Sequence, residues 1–273
     1  VFYFNAVDSA YRLEVRHGGK LKYVESAVRV GTGGQIWDSV AAGTAAAAAV
    51  EARNDIYSLT NSLFAIQNSV PLYQYLSPAQ EADIAAGTKA IDCSAALQSA
   101  VNAAAGRPVL LPEGTIRLDS QVSRITASTS SFTDGLKLIG MGSGRTIIDS
   151  RVANNAVFNA DTTASFKFQN NLLFKGFTIT GQYGVPANAT GVRLQRAYNV
   201  LFDDVHFNNL SRDGIFVEVG TNDADSSNRI ELYRTEFLSC KRWGFHHSPY
   251  AGQNDLSYLI VHNSRWDQCG TEE

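Results

Sequence analysis

The sequence predicts a mostly β chain built as a right-handed parallel β-helix, with a β-hairpin and an Ala-rich coiled-coil helix ahead of it. Three observations carry this. First, the segments Leu172–Ile179, Val200–Phe207, Ile230–Phe237 and Leu259–Trp266 align without gaps. Their matched residues Phe174, Phe202, Leu232 and Val261 are 28, 30 and 29 positions apart, and further along the same segments Ile179, Phe207, Phe237 and Trp266 match as large apolar residues. A period between ~20 and ~50 residues made of short strands marks a solenoid, with loop insertions such as Gly220–Ser227 absorbing the unevenness. Second, a Gly-led strand precedes each later segment: Gly191-Val192-Arg193-Leu194, Gly214-Ile215-Phe216-Val217 and Gly244-Phe245-His246-His247. Third, several short strands per repeat require parallel crossovers, and these are overwhelmingly right-handed.

The composition limits the alternatives. The chain has 273 residues, of which 44% are hydrophobic and only 18% charged, so it is not a charge-rich disordered chain. A net charge of −3 gives no bulk cationic field for nucleic acid or an acidic membrane. The longest apolar stretch, Val40–Val50, is interrupted by Gly43 and Thr44 and falls short of the ~18 residues a membrane span needs. Cys93, Cys240 and Cys269 are too scattered for a disulfide framework or a zinc site, so neither a metal nor a cofactor is expected. The start at Val1 without an initiator Met, and the stop at Glu273 soon after a repeat segment, read as a fragment of a longer protein.

Four zones follow in order. In residues 1–37, apolar and polar residues alternate through Tyr11–Arg16, and Gly18-Gly19 turns the chain into Leu21–Val24, which predicts a hairpin. Residues 38–69 predict a helix. Its apolar positions Ala42, Ala45, Ala49, Ala52, Ile56, Leu59, Leu63 and Ile66 make an unbroken heptad seam, which favours association between chains over packing within one. Residues 70–108 form a connector. Ser77-Pro78-Ala79-Gln80 is a helix start with a capping box, stopping near Gly87; Asp92 is placed to cap a second helix with Leu97, Ala100, Val101 and Ala104 on one face, closed by Gly106. Residues 109–273 hold the first coils of the β-helix, opening with a strand, turn and strand over Val109–Ile116.

Several of these motifs resemble a known family. Tyr75–Ile84, followed by Gly87-Thr88, Asp92 and Ala95–Gln98, is similar to the segment that opens the β-helix of bacteriophage tailspikes and capsule depolymerases. Val109–Thr115 and Leu138–Gly142 through Thr146–Ile148 resemble the start of the pectate-lyase-like superfamily, so the resemblance spans about residues 70–273 in the family's own order. The hairpin at Tyr11–Val24 is similar to the end of a virion-binding domain. The resemblance implies a homotrimer in the tail of a virion. Its N-terminal part would dock on a phage tail, baseplate or adaptor protein, and its β-helix would bind bacterial surface polysaccharide. Many members cleave that polysaccharide as glycosidases or lyases outside the cell; some only bind or deacetylate. The rival readings are a non-enzymatic adhesive β-helix fibre and a free secreted polysaccharide lyase or hydrolase. The hairpin and heptad segment argue against the last, since a soluble monomeric enzyme needs neither.

The chemistry-bearing residues are few. Gly140-Met141-Gly142-Ser143-Gly144 lacks the spacing and following helix of a phosphate loop and reads as a tight turn. Asn222-Asp223-Ala224-Asp225 lacks the turn glycine and distant Glu of a calcium loop. His246 and His247 are adjacent on a strand, so they point to opposite faces and cannot chelate one metal. Cys240 and Cys269 differ by 29 residues and are expected to stack as buried, reduced thiols. On the Gly-led strands alternation sends Val192/Leu194, Ile215/Val217 and Phe245/His247 inward, and Arg193/Gln195, Phe216/Glu218 and His246/Ser248 outward. Stacking would place the outward residues about 4.8 Å apart. An aromatic ring among polar groups suits a sugar, so Arg193, Phe216 and His246 are the expected substrate-binding residues; the other reading is an ordinary mixed solenoid surface. Glycan cleavage uses paired carboxylates, and Glu218 with Asp213 is the expected catalytic pair.

Overall fold

The computed structural model describes residues 6–7, 10–17, 20–29, 68–126, 132–162, 168–181, 189–218, 227–248 and 258–270. The chain divides into two compact units, Val1–Leu63 and Phe64–Glu273. In the first, Ala6–Val7, Ala10–His17 and Lys20–Arg29 form an antiparallel sheet in that order. His17 pairs with Lys20, the register of the expected hairpin, although the returning strand runs longer than Leu21–Val24. Of the heptad segment, residues 38–67 lie outside the described residues, as does the loop 222–225.

The second unit carries two α-helices soon after its first strand, Val70–Pro71. In α1 (Pro78–Ala86) the Ser77 hydroxyl accepts the Gln80 N–H while the Gln80 side chain accepts the Ser77 N–H, so the capping box read from the sequence is formed. Gly87, at φ 66°, ends the helix in the left-handed conformation. Asp83 then organises the chain beyond it, accepting from the Thr88 hydroxyl and from the Ala90 and Ile91 N–H groups, which hold its carboxyl below the usual range. In α2 (Ser94–Ala104) the cap position is Cys93, one residue later than expected. Asp92 still accepts the Ser94 N–H at 2.9 Å, and it also takes the Asp119 N–H at 3.0 Å, tying the helix to the first coil. Leu97, Ala100, Val101 and Ala104 are all buried, as the periodicity predicted, and cover the start of the solenoid.

The remainder is a parallel β-solenoid. One stack runs through Val70–Pro71, Val109–Leu110, Lys137–Ile139, the first halves of Phe168–Thr180 and Ala197–Asn208, then Asn228–Tyr233 and Leu259–His262. A second contains Gly114–Leu118, Thr146–Ser150, the second halves of the two long strands, Glu236–Leu238 and Arg265–Asp267. A third contains Val122–Thr126, Ala156–Thr162, Thr190–Leu194, Asp213–Glu218 and Trp243–Ser248. The alignment made on sequence is the register of the structure: Phe174 pairs with Phe202, Phe202 with Leu232 and Leu232 with Val261.

Side chains of similar type therefore fall on one another. Phe174 stacks on Phe202 at 4.7 Å between ring centroids, Phe207 on Phe237 at 5.1 Å and Phe237 on Trp266 at 5.0 Å. Such pairs add about 0.5–1.5 kcal/mol each to the burial of the rings. The strand-leading glycines make this possible. A Cβ on Gly191 would lie 2.6 Å from the Phe207 ring, and one on Gly214 would lie 2.5 Å from the Phe237 ring. The glycine ladder exists because the aromatic ladder fills the space a side chain would need.

Between strands the chain bends through left-handed residues that also stack. Asn171, Asn199 and Arg229 form one such column, and Gly176, Asp204, Arg234 and Asn263 another, all with positive φ. A left-handed bend costs a non-glycine residue about 1–2 kcal/mol, which the unbroken ladders on either side offset. Serines of one coil tie down the bend of the coil before it: Ser211 accepts the Ala189 N–H at 2.9 Å, Ser227 the Ala197 N–H at 3.2 Å and Ser264 the Thr235 N–H at 3.1 Å. At Gly140–Gly144 the Arg145 and Thr146 N–H groups both donate to the Gly142 carbonyl, the tight turn expected there.

Gly214→Ala should lower stability by about 1–3 kcal/mol through the clash with the Phe237 ring. Gly144→Ala, with nothing within 4 Å of the added methyl, should stay within about 0.5 kcal/mol. Urea unfolding with an unchanged m-value checks the pair; equal midpoints for the two variants would contradict the packing argument.

Candidate functional site

The third stack carries the strip expected from the sequence. Arg193 pairs with Phe216 and Phe216 with His246, each in the adjacent coil. Val192, Leu194, Ile215 and Val217 are fully buried behind them, while Arg193, Phe216 and Glu218 are half-buried, so alternation sorted the two faces of these strands; on Trp243–Ser248 the expected inward Phe245 and His247 are half-buried, as is the outward His246. Phe216 does not present a free ring face on both sides. Its ring lies on that of His246 with centroids 5.0 Å apart, and the Arg212 and Arg242 guanidinium carbons lie 5.6 and 5.8 Å from its centroid. What faces outward is a stack of ring edges flanked by two cations.

Beneath this lies Asp213. Its carboxylate is fully buried and gripped by Arg242, whose Nε donates to Oδ1 at 2.9 Å and whose Nη2 donates to Oδ2. Arg212 and His246 Nδ1 are 3.8 and 3.6 Å from the same carboxylate. Asp213 thus anchors the residues that surround Phe216 and does not reach the outer surface of the strip. Glu218 does lie on the outer face, where Arg193 clasps it through Nε and Nη2. This pair is about one-third exposed and is worth about 1 kcal/mol at most. The structure places the five expected site residues in one patch, but on two levels: Arg193, Phe216, Glu218 and His246 outside, Asp213 below.

His246 is the titratable centre of the patch. Arg242 Nη2 is 2.8 Å from His246 Nδ1, and because a guanidinium only donates, Nδ1 accepts and the ring is neutral. Burial lowers the His246 pKa first; Asp213 raises it, but the Arg242 and Arg212 charges lower it again, and the net direction is down.

Arg212 and Arg242 were not singled out from the sequence. The signal was present: each stands two residues before a strand-leading glycine, in Arg212-Asp213-Gly214 and Arg242-Trp243-Gly244, and the Arg242 N–H donates to the Arg212 carbonyl at 2.9 Å. Asp203 and Asp204 lie at the bend inside Ala197–Asn208, Asp204 with a positive φ. Asp203 pairs with Lys175 at 3.0 Å and with Arg234, while Asp204 accepts from the Ser143 N–H at 3.1 Å and hydroxyl at 2.8 Å. A separate groove of about 390 Å³ is lined by Tyr198, Asn199, Asn228, Arg229, Tyr258 and Ile260 and contains none of the strip residues.

No protein-family model matches the chain, and no curated protein does either. Among solved structures the chain is similar to the pre-mature bacteriophage phi29 gene product 12, with 14% identity and a TM-score of 0.47. The match covers 78% of this chain and 31% of that one, so the chain spans about a third of that protein's length.

Two outcomes follow from the geometry around Asp213. Arg242→Met, which leaves a buried carboxylate without its main partner, should destabilise by about 3 kcal/mol, and adding Asp213→Asn should recover most of that; denaturant unfolding of the single and double variants reads it. His246, with a folded pKa below its unfolded value, binds fewer protons in the fold than in the unfolded chain. Its contribution is therefore complete above about pH 6.5 and is lost as the pH falls through the folded pKa. Unfolding midpoints measured from pH 7.5 to 5.5 should fall less in His246→Gln than in the unaltered chain.

Proposed function

We propose that this chain is part of a phage tailspike whose β-solenoid recognises bacterial surface polysaccharide, held on the virion by its N-terminal part and assembled as a homotrimer. The ordered motifs from Tyr75 to Ile148, in the segment that carries α1, α2 and the first strands, support the family reading. The observation that carries the binding reading is the in-register strip Arg193–Phe216–His246, with Arg212 and Arg242 beside the rings. Stacked ring edges offer apolar contact to the C–H surface of a sugar. Arg193, Arg212 and Glu218 offer donors and an acceptor to its hydroxyls, and paired strands hold Arg193, Phe216, Glu218 and His246 at fixed spacing.

Within this strip, binding is favoured over cleavage. A glycosidase needs two carboxyl groups at the surface on either side of the scissile bond. Here Asp213 is buried and Glu218 is clasped by Arg193. Depolymerase activity in the full-length protein therefore calls for a carboxylate other than Asp213 to act with Glu218, or for a separate centre.

Phe216→Ala in the full-length protein should weaken binding to immobilised capsular and lipopolysaccharide glycans at least tenfold, with the oligomeric state by light scattering unchanged. Unchanged glycan binding would retire the strip as the recognition surface.

A further inference from the structure

Arg212 differs from the other arginines of the second unit. Among the described residues there, every other arginine side chain donates a hydrogen bond to a carboxylate or a backbone carbonyl. The Arg212 side chain donates none to the described residues. Its Nε lies 3.8 Å from Asp213 Oδ2, too far for a hydrogen bond, and both Asp213 oxygens already accept from Arg242. Arg212 is nevertheless held in place, with its guanidinium carbon 5.6 Å from the centroid of the Phe216 ring. Coils flank it on both sides: its neighbour Ser211 accepts the Ala189 N–H, and its own carbonyl accepts the Arg242 N–H. The side chain is 38% exposed.

The charges around Phe216 do not balance. Among the described residues, the Arg193, Arg212 and Arg242 guanidiniums stand against the Glu218 and Asp213 carboxylates, and His246 is neutral, which leaves one positive charge. The chain as a whole carries −3, so the patch runs against the protein's own charge. Glu218 is neutralised by Arg193 and Asp213 by Arg242, and the surplus belongs to Arg212. A neutral hydroxyl would use one of its donors and none of its charge. A carboxylate or phosphate takes two parallel N–H bonds and the charge together.

We propose that the Phe216 strip selects glycans bearing an anionic substituent, a carboxylate or a phosphate, and that Arg212 is the residue that reads it. The inference rests on the strip being the recognition surface. The edges of Phe216 and His246 take the C–H face of the sugar, and the Arg193–Glu218 pair takes hydroxyls. Arg212 takes the acid beside the ring.

The test measures binding of the full-length protein to immobilised capsular polysaccharides. One set carries hexuronic acid and the other lateral phosphate, each alongside its carboxyl-reduced or dephosphorylated form. The unaltered protein should bind the acidic member of one pair at least tenfold more tightly than its neutral counterpart, and the pair that shows this names the anion. In Arg212→Gln that preference should collapse while binding of the neutral form stays unchanged, a ratio that a merely structural role for Arg212 would not move. Arg212→Lys, which keeps the charge without the fork, should retain part of it. Equal binding of acidic and neutral forms, or a preference that survives Arg212→Gln, would overturn the proposal. If Phe216→Ala then still abolishes binding, the strip stands and only the reading of the acid falls. If neither variant changes binding, or no member of the panel binds, both fall.

Discussion

Parallel stacking in register sets the neighbours of nearly every residue in the second unit. Where Phe174 lies on Phe202, and Phe207 on Phe237, the partner is not a residue nearby in sequence but the one a full coil away. That constraint decides which residues are tolerated. An aromatic column demands a glycine column beside it, since a Cβ on Gly191 or Gly214 would enter the rings of Phe207 or Phe237. A left-handed bend in one coil forces the same bend in the next, as Asp204, Arg234 and Asn263 show. The constraint reaches the surface as well, because an outward side chain inherits its neighbours from the same ladder.

The Phe216 patch is the clearest case of that inheritance. Ion pairs there run between coils: Arg193 reaches Glu218, and Arg242 reaches Asp213. Each links strands already joined by backbone hydrogen bonds, so little additional chain entropy is lost in forming it. The buried Asp213 costs solvation, which the Arg242 fork and the nearby Arg212 compensate. In return, Arg212, Arg242 and His246 are held around one ring, and three strands form a surface of fixed spacing with both donors and an acceptor. Such a surface suits a ligand with many hydroxyls and apolar C–H faces, and groups held in place beforehand lower the cost of binding one.

Most of the solenoid was legible in the sequence because stacking repeats side-chain type as well as backbone. Large apolar residues at Ile179, Phe207, Phe237 and Trp266 could be aligned without knowing the fold, and alternation correctly separated Ile215 and Val217 from Phe216 and Glu218. The left-handed conformation of the bends was not legible. Gly176, Asp204, Arg234 and Asn263 share a conformation but no chemistry, because the ladders on either side, and not the residue, hold the left-handed turn. The burial of Asp213 was legible and was missed: it has the parity of Ile215 and Val217, so alternation alone sends it inward. The clasp on Glu218 needed three dimensions, since it depends on the register between Arg193 and Phe216. The helix cap falls at Cys93, one residue past Asp92, while the Asp92 side chain still accepts the Ser94 N–H and serves a second element through the Asp119 N–H.

In the proposed function the ladder-built strip is where a glycan meets the protein. A crystal structure of the full-length protein with a bound oligosaccharide from a bacterial surface polysaccharide tests it most directly. The expected complex has a sugar against the stacked edges of Phe216 and His246, with hydroxyls on Arg193, Arg212 or Glu218. A sugar held only in the groove between Tyr198 and Tyr258, with the Phe216 strip bare, would contradict it.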